Sequence, residues 1–143
     1  MYSGFAMLTD EHPLWEEIRA LDLPGDDYAI FGSGLLAVRG LMELKNDVDI
    51  VARGEAWAKA ESLGAVAVAD HSDPVVWLCG GRIEIFAGWM GTDINGIIDR
   101  AELIEGLPFA SLEDVLAFKR ELRRPKDLEH IRLIEEHLRH GSK

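Results

Sequence analysis

The apolar positions of this chain fall into short runs whose periods separate strands from helices. Leu14, Trp15, Ile18 and Leu21 share one helical face, and Asp10 is placed to cap that helix. Pro24-Gly25-Asp26-Asp27 breaks the pattern. Tyr28–Phe31 and Val48–Ala52 are compact apolar runs that read as buried strands. Between them lies a helical segment, Leu35–Glu43, with Leu35, Leu36, Val38, Leu41 and Met42 facing inward. Gly54–Ser62 reads as a helix closed by a C-cap at Gly64, followed by a strand over Ala65–Ala69.

After the loop His71-Ser72-Asp73-Pro74, the runs Val75–Cys79 and Arg82–Ala87 flank Gly80-Gly81 and predict a hairpin. Thr92–Arg100 fits a short helix or irregular chain, and Ala101–Ile104 with Leu107–Ala110 predicts a second hairpin around Glu105-Gly106. Ser111, with Asp114 three residues on, opens a helix through Val115, Leu116, Phe118 and Leu122. Pro125 starts a last helix carrying Leu128, Ile131, Ile134 and Leu138. The sum is one α/β (α+β) domain over residues 1–143, with a mixed-sheet core at 28–110 and a two-helix C-terminal segment at 111–140.

Composition narrows the setting. The chain is 48% apolar and 29% charged, as expected of a globular protein with a real core. No apolar run approaches the roughly 18 residues of a spanning helix. The start, MYSGFAMLTDEH, lacks both a basic stretch and an apolar leader segment, so no membrane partner and a cytoplasmic location are expected. Cys79 is alone, which excludes an internal disulfide. A net charge of −11 argues against broad nucleic-acid binding. Residues 117–143 nevertheless carry net +3 against −14 for the rest, a basic end on an acidic body. Lys119, Arg120, Arg123, Arg124 and Lys126 form its densest part, read equally well as a phosphate or RNA patch and as a solvated surface.

The candidate chemistry lies in Tyr28–Ala52. Gly32-Ser33-Gly34 stands where a strand gives way to a helix; glycines there let the backbone approach a phosphate, the serine hydroxyl can donate, and a helix N-terminus favours anions. In the following strand Asp47 and Asp49 alternate with Val48 and Ile50, so both carboxylates share the face opposite the core. Adjacent carboxylates repel unless a cation neutralises them, and an all-oxygen set suits Mg²⁺. Glu84, between Ile83 and Ile85 in the predicted hairpin, is the candidate third acid.

A strand ending in Gly32-Ser33, a helix, Asp47-Val48-Asp49 on the next strand and a later strand carboxylate resembles the nucleotidyltransferase fold of the DNA polymerase β superfamily. The tail, Ser111 to Lys119 followed by Arg124-Pro125-Lys126-Asp127-Leu128, is similar to that of small bacterial nucleotidyltransferases, including abortive-infection toxin relatives. The likeness covers roughly residues 28–138. It implies a transferase that moves a nucleoside monophosphate from an NTP to an acceptor hydroxyl, releasing pyrophosphate. It implies two Mg²⁺ ions held by Asp47 and Asp49, with Glu84 binding the catalytic ion or helping to deprotonate the acceptor, phosphates held by Gly32 and Ser33, a triphosphate neutralised by Lys119, and Asp127 orienting the triphosphate or the basic side chains. The acceptor stays open between tRNA, a protein and a small molecule, as does a homodimer. The alternative is a noncatalytic nucleotide- or partner-binding module on the same fold, such as one half of a toxin–antitoxin pair with a small partner protein.

Other motifs carry less. Gly32-Ser33-Gly34-Leu35-Leu36-Ala37 also fits a dinucleotide-binding turn, but that reading wants an acid at the far end of the second strand. His71-Ser72-Asp73 are too close in sequence to form a nucleophilic triad. His130, His137 and His140 read as a solvated helix face rather than a zinc site, and Trp15, Trp57, Trp77 and Trp89 as core or edge packing, with Trp89 placed to flank a base.

Overall fold

The computed structural model describes residues 13–42, 47–69 and 72–140. Helix α1, Pro13–Leu21, buries Leu14, Trp15 and Ile18; its expected cap, Asp10, lies outside the described residues. Strand β1, Tyr28–Phe31, leads into the short helix α2, Ser33–Val38. This helix ends earlier than the apolar spacing suggests. Gly40, at φ +78°, closes it with paired bonds from the Gly40 N–H to Ala37 and from the Leu41 N–H to Leu36, a left-handed glycine stop. The predicted helix end at Glu43 lies outside the described residues.

Strand β2, Val48–Ala52, is followed by helix α3, Gly54–Leu63. Gly64 caps α3 in an extended rather than left-handed conformation. Glycine is favoured there by crowding, since a Cβ would stand 3.0 Å from Val76 and 3.1 Å from Leu78. Strand β3, Val66–Val68, precedes the hairpin of β4, Pro74–Leu78, and β5, Ile83–Phe86, whose connection is a 3₁₀ turn at Cys79–Gly81. Thr92–Arg100 resolves as helix α4, Ile94–Asp99, capped by the Asp93 side chain. The second hairpin, β6 (Glu102–Ile104) and β7 (Leu107–Phe109), turns on Glu105 and Gly106, both at positive φ. Helix α5, Leu112–Leu122, is capped by Ser111, which accepts from the Asp114 N–H, and α6 runs Pro125–His140. On α6 Ile134 is fully buried, whereas Leu128 and Leu138 are exposed.

All seven strands form one mixed sheet in the order β3-β4-β5-β2-β1-β7-β6. β1 pairs antiparallel with β2, which excludes a dinucleotide-type βαβ crossover at the glycine turn. β2 and β5 are parallel, although their connection carries α3 and two further strands. One sheet face presents Ile30, Val48, Ile50, Val76, Ile83 and Ile85, each at most 1% exposed. Helices α1 and α2 seal it; a Cβ at Gly34 would meet Ile30, Val48 and Trp15. On the other face Phe118 of α5 packs against Phe31, which shares that face with Asp49. Among the described residues no helix is long and apolar enough to cross a membrane.

Candidate functional site

Strand register assembles the site. Phe31 on β1 is paired with Asp49 on β2, Asp49 with Glu84 on β5, and Glu84 with Trp77 on β4. Directly paired residues project to the same face, so two carboxylates stand side by side between two aromatic rings. All four line a cavity of about 290 Å³. Val48 and Ile50 point the other way into the core, as strand alternation requires.

The carboxylates interact directly. Burial, a hydrogen bond with Glu84 and the charges of Glu84 and Asp47 push Asp49 up to about 8, with Lys126 opposing. Glu84 is also held from its other side, where the Trp77 Nε1–H donates to Glu84 Oε2 at 3.0 Å. Asp47 precedes β2, is exposed and does not line the cavity, but its charge reaches Asp49. Gly32 sits at φ +63° directly below Asp49, and a Cβ there would stand 3.8 Å from Asp49 Oδ2. The Ser33 backbone begins α2 beside it.

The facing wall is basic and comes from the junction of α5 and α6. Lys119, Arg124, Lys126 and His130 line the cavity there. Asp127 organises them. It is fully buried and accepts from the Arg124 backbone N–H at 3.0 Å, from Arg124 Nε at 2.6 Å and from Lys119 Nζ at 3.4 Å. The backbone contact makes Asp127 a reciprocal cap of α6, with Pro125 in the first helical position. Burial alone would raise its carboxyl, but the Arg124 bonds and the Lys119 charge hold it down at about 2. Lys119 is itself 4% exposed, and burial lowers its pKa against the pull of Asp127. Burial also lowers His130, whose buried Nδ1 has no hydrogen-bond partner.

Aromatic rings complete the enclosure. Phe31 packs edge-on to Phe118 with centroids 5.3 Å apart, and Trp89 packs against Phe86 at 4.7 Å and Phe31 at 5.7 Å. The loop carrying Trp89 is tied down by Asp73, whose Oδ2 accepts from the Met90 N–H at 2.7 Å. Gly88 leaves room for that carboxylate, since a Cβ would lie 2.7 Å from Asp73 Oδ1.

The structure therefore gathers Gly32, Asp49, Glu84 and Lys119 around one cavity, with buried Asp127 bracing its basic wall, and leaves Asp47 outside the lining. Sequence reading missed three members. His130 lines the cavity rather than a solvated face, Asp73 is an anchor rather than a mere turn residue, and Trp77 bonds a carboxylate rather than only packing. His71 lies outside the described residues. His137 and His140 border a separate shallow depression with Gly40 and Leu41.

The donor set fits a hard divalent cation. Two carboxylates in register are what a cation would neutralise, and their oxygens match Mg²⁺. Among the described residues no group of three or more His, Cys, Asp or Glu is gathered to hold a metal ion. A cation at Asp49 and Glu84 would thus take its remaining ligands from water and phosphate oxygens. No protein-family model, curated protein or solved structure matches the chain.

Proposed function

We propose that the protein is a Mg²⁺-dependent nucleotidyltransferase that moves a nucleoside monophosphate from an NTP to an acceptor hydroxyl with release of pyrophosphate. One observation carries the reading. The register-paired carboxylates Asp49 and Glu84 share a cavity with the glycine turn at Gly32 and with Lys119, Arg124 and Lys126. Such a cavity separates a cation-holding floor from an anion-holding wall, as transfer from a triphosphate requires.

Asp49 and Glu84 are the residues that would hold Mg²⁺, with Asp47 adding negative charge nearby. When bound, the ion polarises the α-phosphate and lowers the pKa of the attacking hydroxyl. The chain's own groups do the rest. Lys119 and Arg124, held in place by Asp127, neutralise phosphate charge, and Lys126 adds a more exposed cation. The Gly32 turn lets backbone approach an anion without a side chain intervening. Phe31, Phe86, Trp89 and Phe118 exclude water and offer ring faces to a base.

The test is incubation with each labelled NTP, Mg²⁺ and cell extract. Label should appear on an acceptor with the wild type and not with Asp49→Asn; undiminished transfer by that variant would sink the assignment. The place of Asp47 outside the cavity lining favours one second reading, a noncatalytic nucleotide- or partner-binding module. NTP binding that is indifferent to Mg²⁺, without turnover, would select it.

A further inference from the structure

Glu84 stands between two neighbours, because β5 runs between β4 and β2. On the β2 side it is the register partner of Asp49; on the β4 side it accepts from Trp77. Trp77 is 45% exposed, while its neighbours Val75 and Val76 on the same strand are fully buried. Hydrophobic burial therefore does not explain a large ring at this position. Its donor does. The indole Nε1–H can only donate, and it meets a carboxylate oxygen at hydrogen-bond distance from the directly paired position of the adjacent strand.

We propose that Trp77 is a positioning residue whose indole N–H fixes the Glu84 carboxylate in the orientation that lets it receive a divalent cation together with Asp49. The inference rests on the reading of Asp49 and Glu84 as the cation floor. Without this donor, Glu84 is held by Asp49 alone, and the two carboxyl groups close on one another. With it, one Glu84 oxygen is committed toward β4, which leaves the other for the cation. Both partners sit on paired strands rather than loops, so the geometry is set before any ligand arrives. Partners of this kind, one shell out from a metal, typically change affinity by about 10–100-fold when removed.

The test uses the full chain and Trp77→Phe, which keeps an aromatic ring and deletes the donor. Mn²⁺ affinity, read from the paramagnetic resonance of free Mn²⁺, should fall about tenfold while the thermal midpoint of the metal-free protein is unchanged. In a Glu84→Gln background the same substitution should change Mn²⁺ affinity no further. The ¹H–¹⁵N indole resonance of Trp77, assigned from its connectivity to the Trp77 ring and backbone in the wild type, should move on adding Mg²⁺ and also in Glu84→Gln. That measurement is made on protein retaining Trp77, so it decides the question even if Trp77→Phe fails to fold. Unchanged Mn²⁺ affinity in Trp77→Phe, or an indole resonance indifferent to Glu84→Gln, would overturn the proposal. Absence of nucleotidyl transfer alongside the expected Mn²⁺ and indole effects would overturn the enzymatic reading and leave this one standing.

Discussion

Asp49 and Glu84 face each other as register partners on parallel strands, and the Glu84 carboxylate helps keep Asp49 from being an ordinary surface carboxylate. Their closeness, together with burial, moves Asp49 to about 8. In the metal-free protein near neutrality Asp49 therefore keeps its proton, which a cation must displace. Asp49→Asn should abolish Mg²⁺-dependent label transfer from NTP and lower Mn²⁺ affinity by at least about tenfold, as measured in parallel on the same preparation.

The same pair sets a pH dependence of stability. A carboxyl whose folded-state pKa lies above its unfolded value makes the native state bind more protons, so stability falls as pH rises between the two values. For Asp49 that window runs from the ordinary aspartate value of 3.8 to about 8. In metal-free protein, urea midpoints should show Asp49→Asn gaining on the wild type as pH rises toward 8 to 9, and the difference shrinking near pH 4. A wild type that gains on the variant across that range would contradict the raised Asp49 carboxyl.

Asp127 behaves in the opposite sense. Its folded-state pKa of about 2 lies below the ordinary aspartate value of 3.8, so its contribution is complete above that value and is lost as pH falls toward 2. Asp127→Asn strips the buried Lys119 of its counter-charge and weakens the cap of α6. Breaking a buried pair from one side costs about 3–5 kcal/mol. Chemical denaturation at pH 7 should show a loss of that order, and the acid-unfolding limb specific to Asp127 should disappear.

Gly32 is the position where backbone conformation and chemistry meet. Its φ of +63° with ψ of −133° is a conformation that side chains resist, at a cost of about 1–3 kcal/mol. A methyl group would also enter the space beneath Asp49 Oδ2. Gly32→Ala should therefore lower the denaturation midpoint by that amount. It should also weaken nucleotide binding, measured by calorimetry, under conditions where the variant remains fully folded.

Much of this was legible in the chain. Two hairpins, the Ser111 cap, the Pro125 start and the α/β class follow from local periodicity and turn chemistry, which act over a few residues. The Gly40 stop was equally local, yet Leu41 and Met42 continued the apolar spacing and masked it. Leu128 and Leu138 kept helical spacing with Ile134 but remain exposed, because a stripe of apolar residues does not say how much of it a neighbour covers.

The site divides along the same line. By itself the sequence determined a strand–glycine turn–helix–strand unit, Asp49 on the strand face opposite the core and a carboxylate between two core isoleucines. These are properties of backbone geometry and alternation within single elements. Only the tertiary structure decided that β5 lies directly beside β2, so that Glu84 meets Asp49 at one register position while Asp47 stays at the exposed edge. Only it decided that the α5–α6 junction turns Lys119, Arg124 and His130 onto the same cavity, and that the Trp77 donor reaches Glu84. The reason is that cross-strand pairing and helix docking are settled by burial summed over the whole core, and no local pattern records the register at which two distant segments meet.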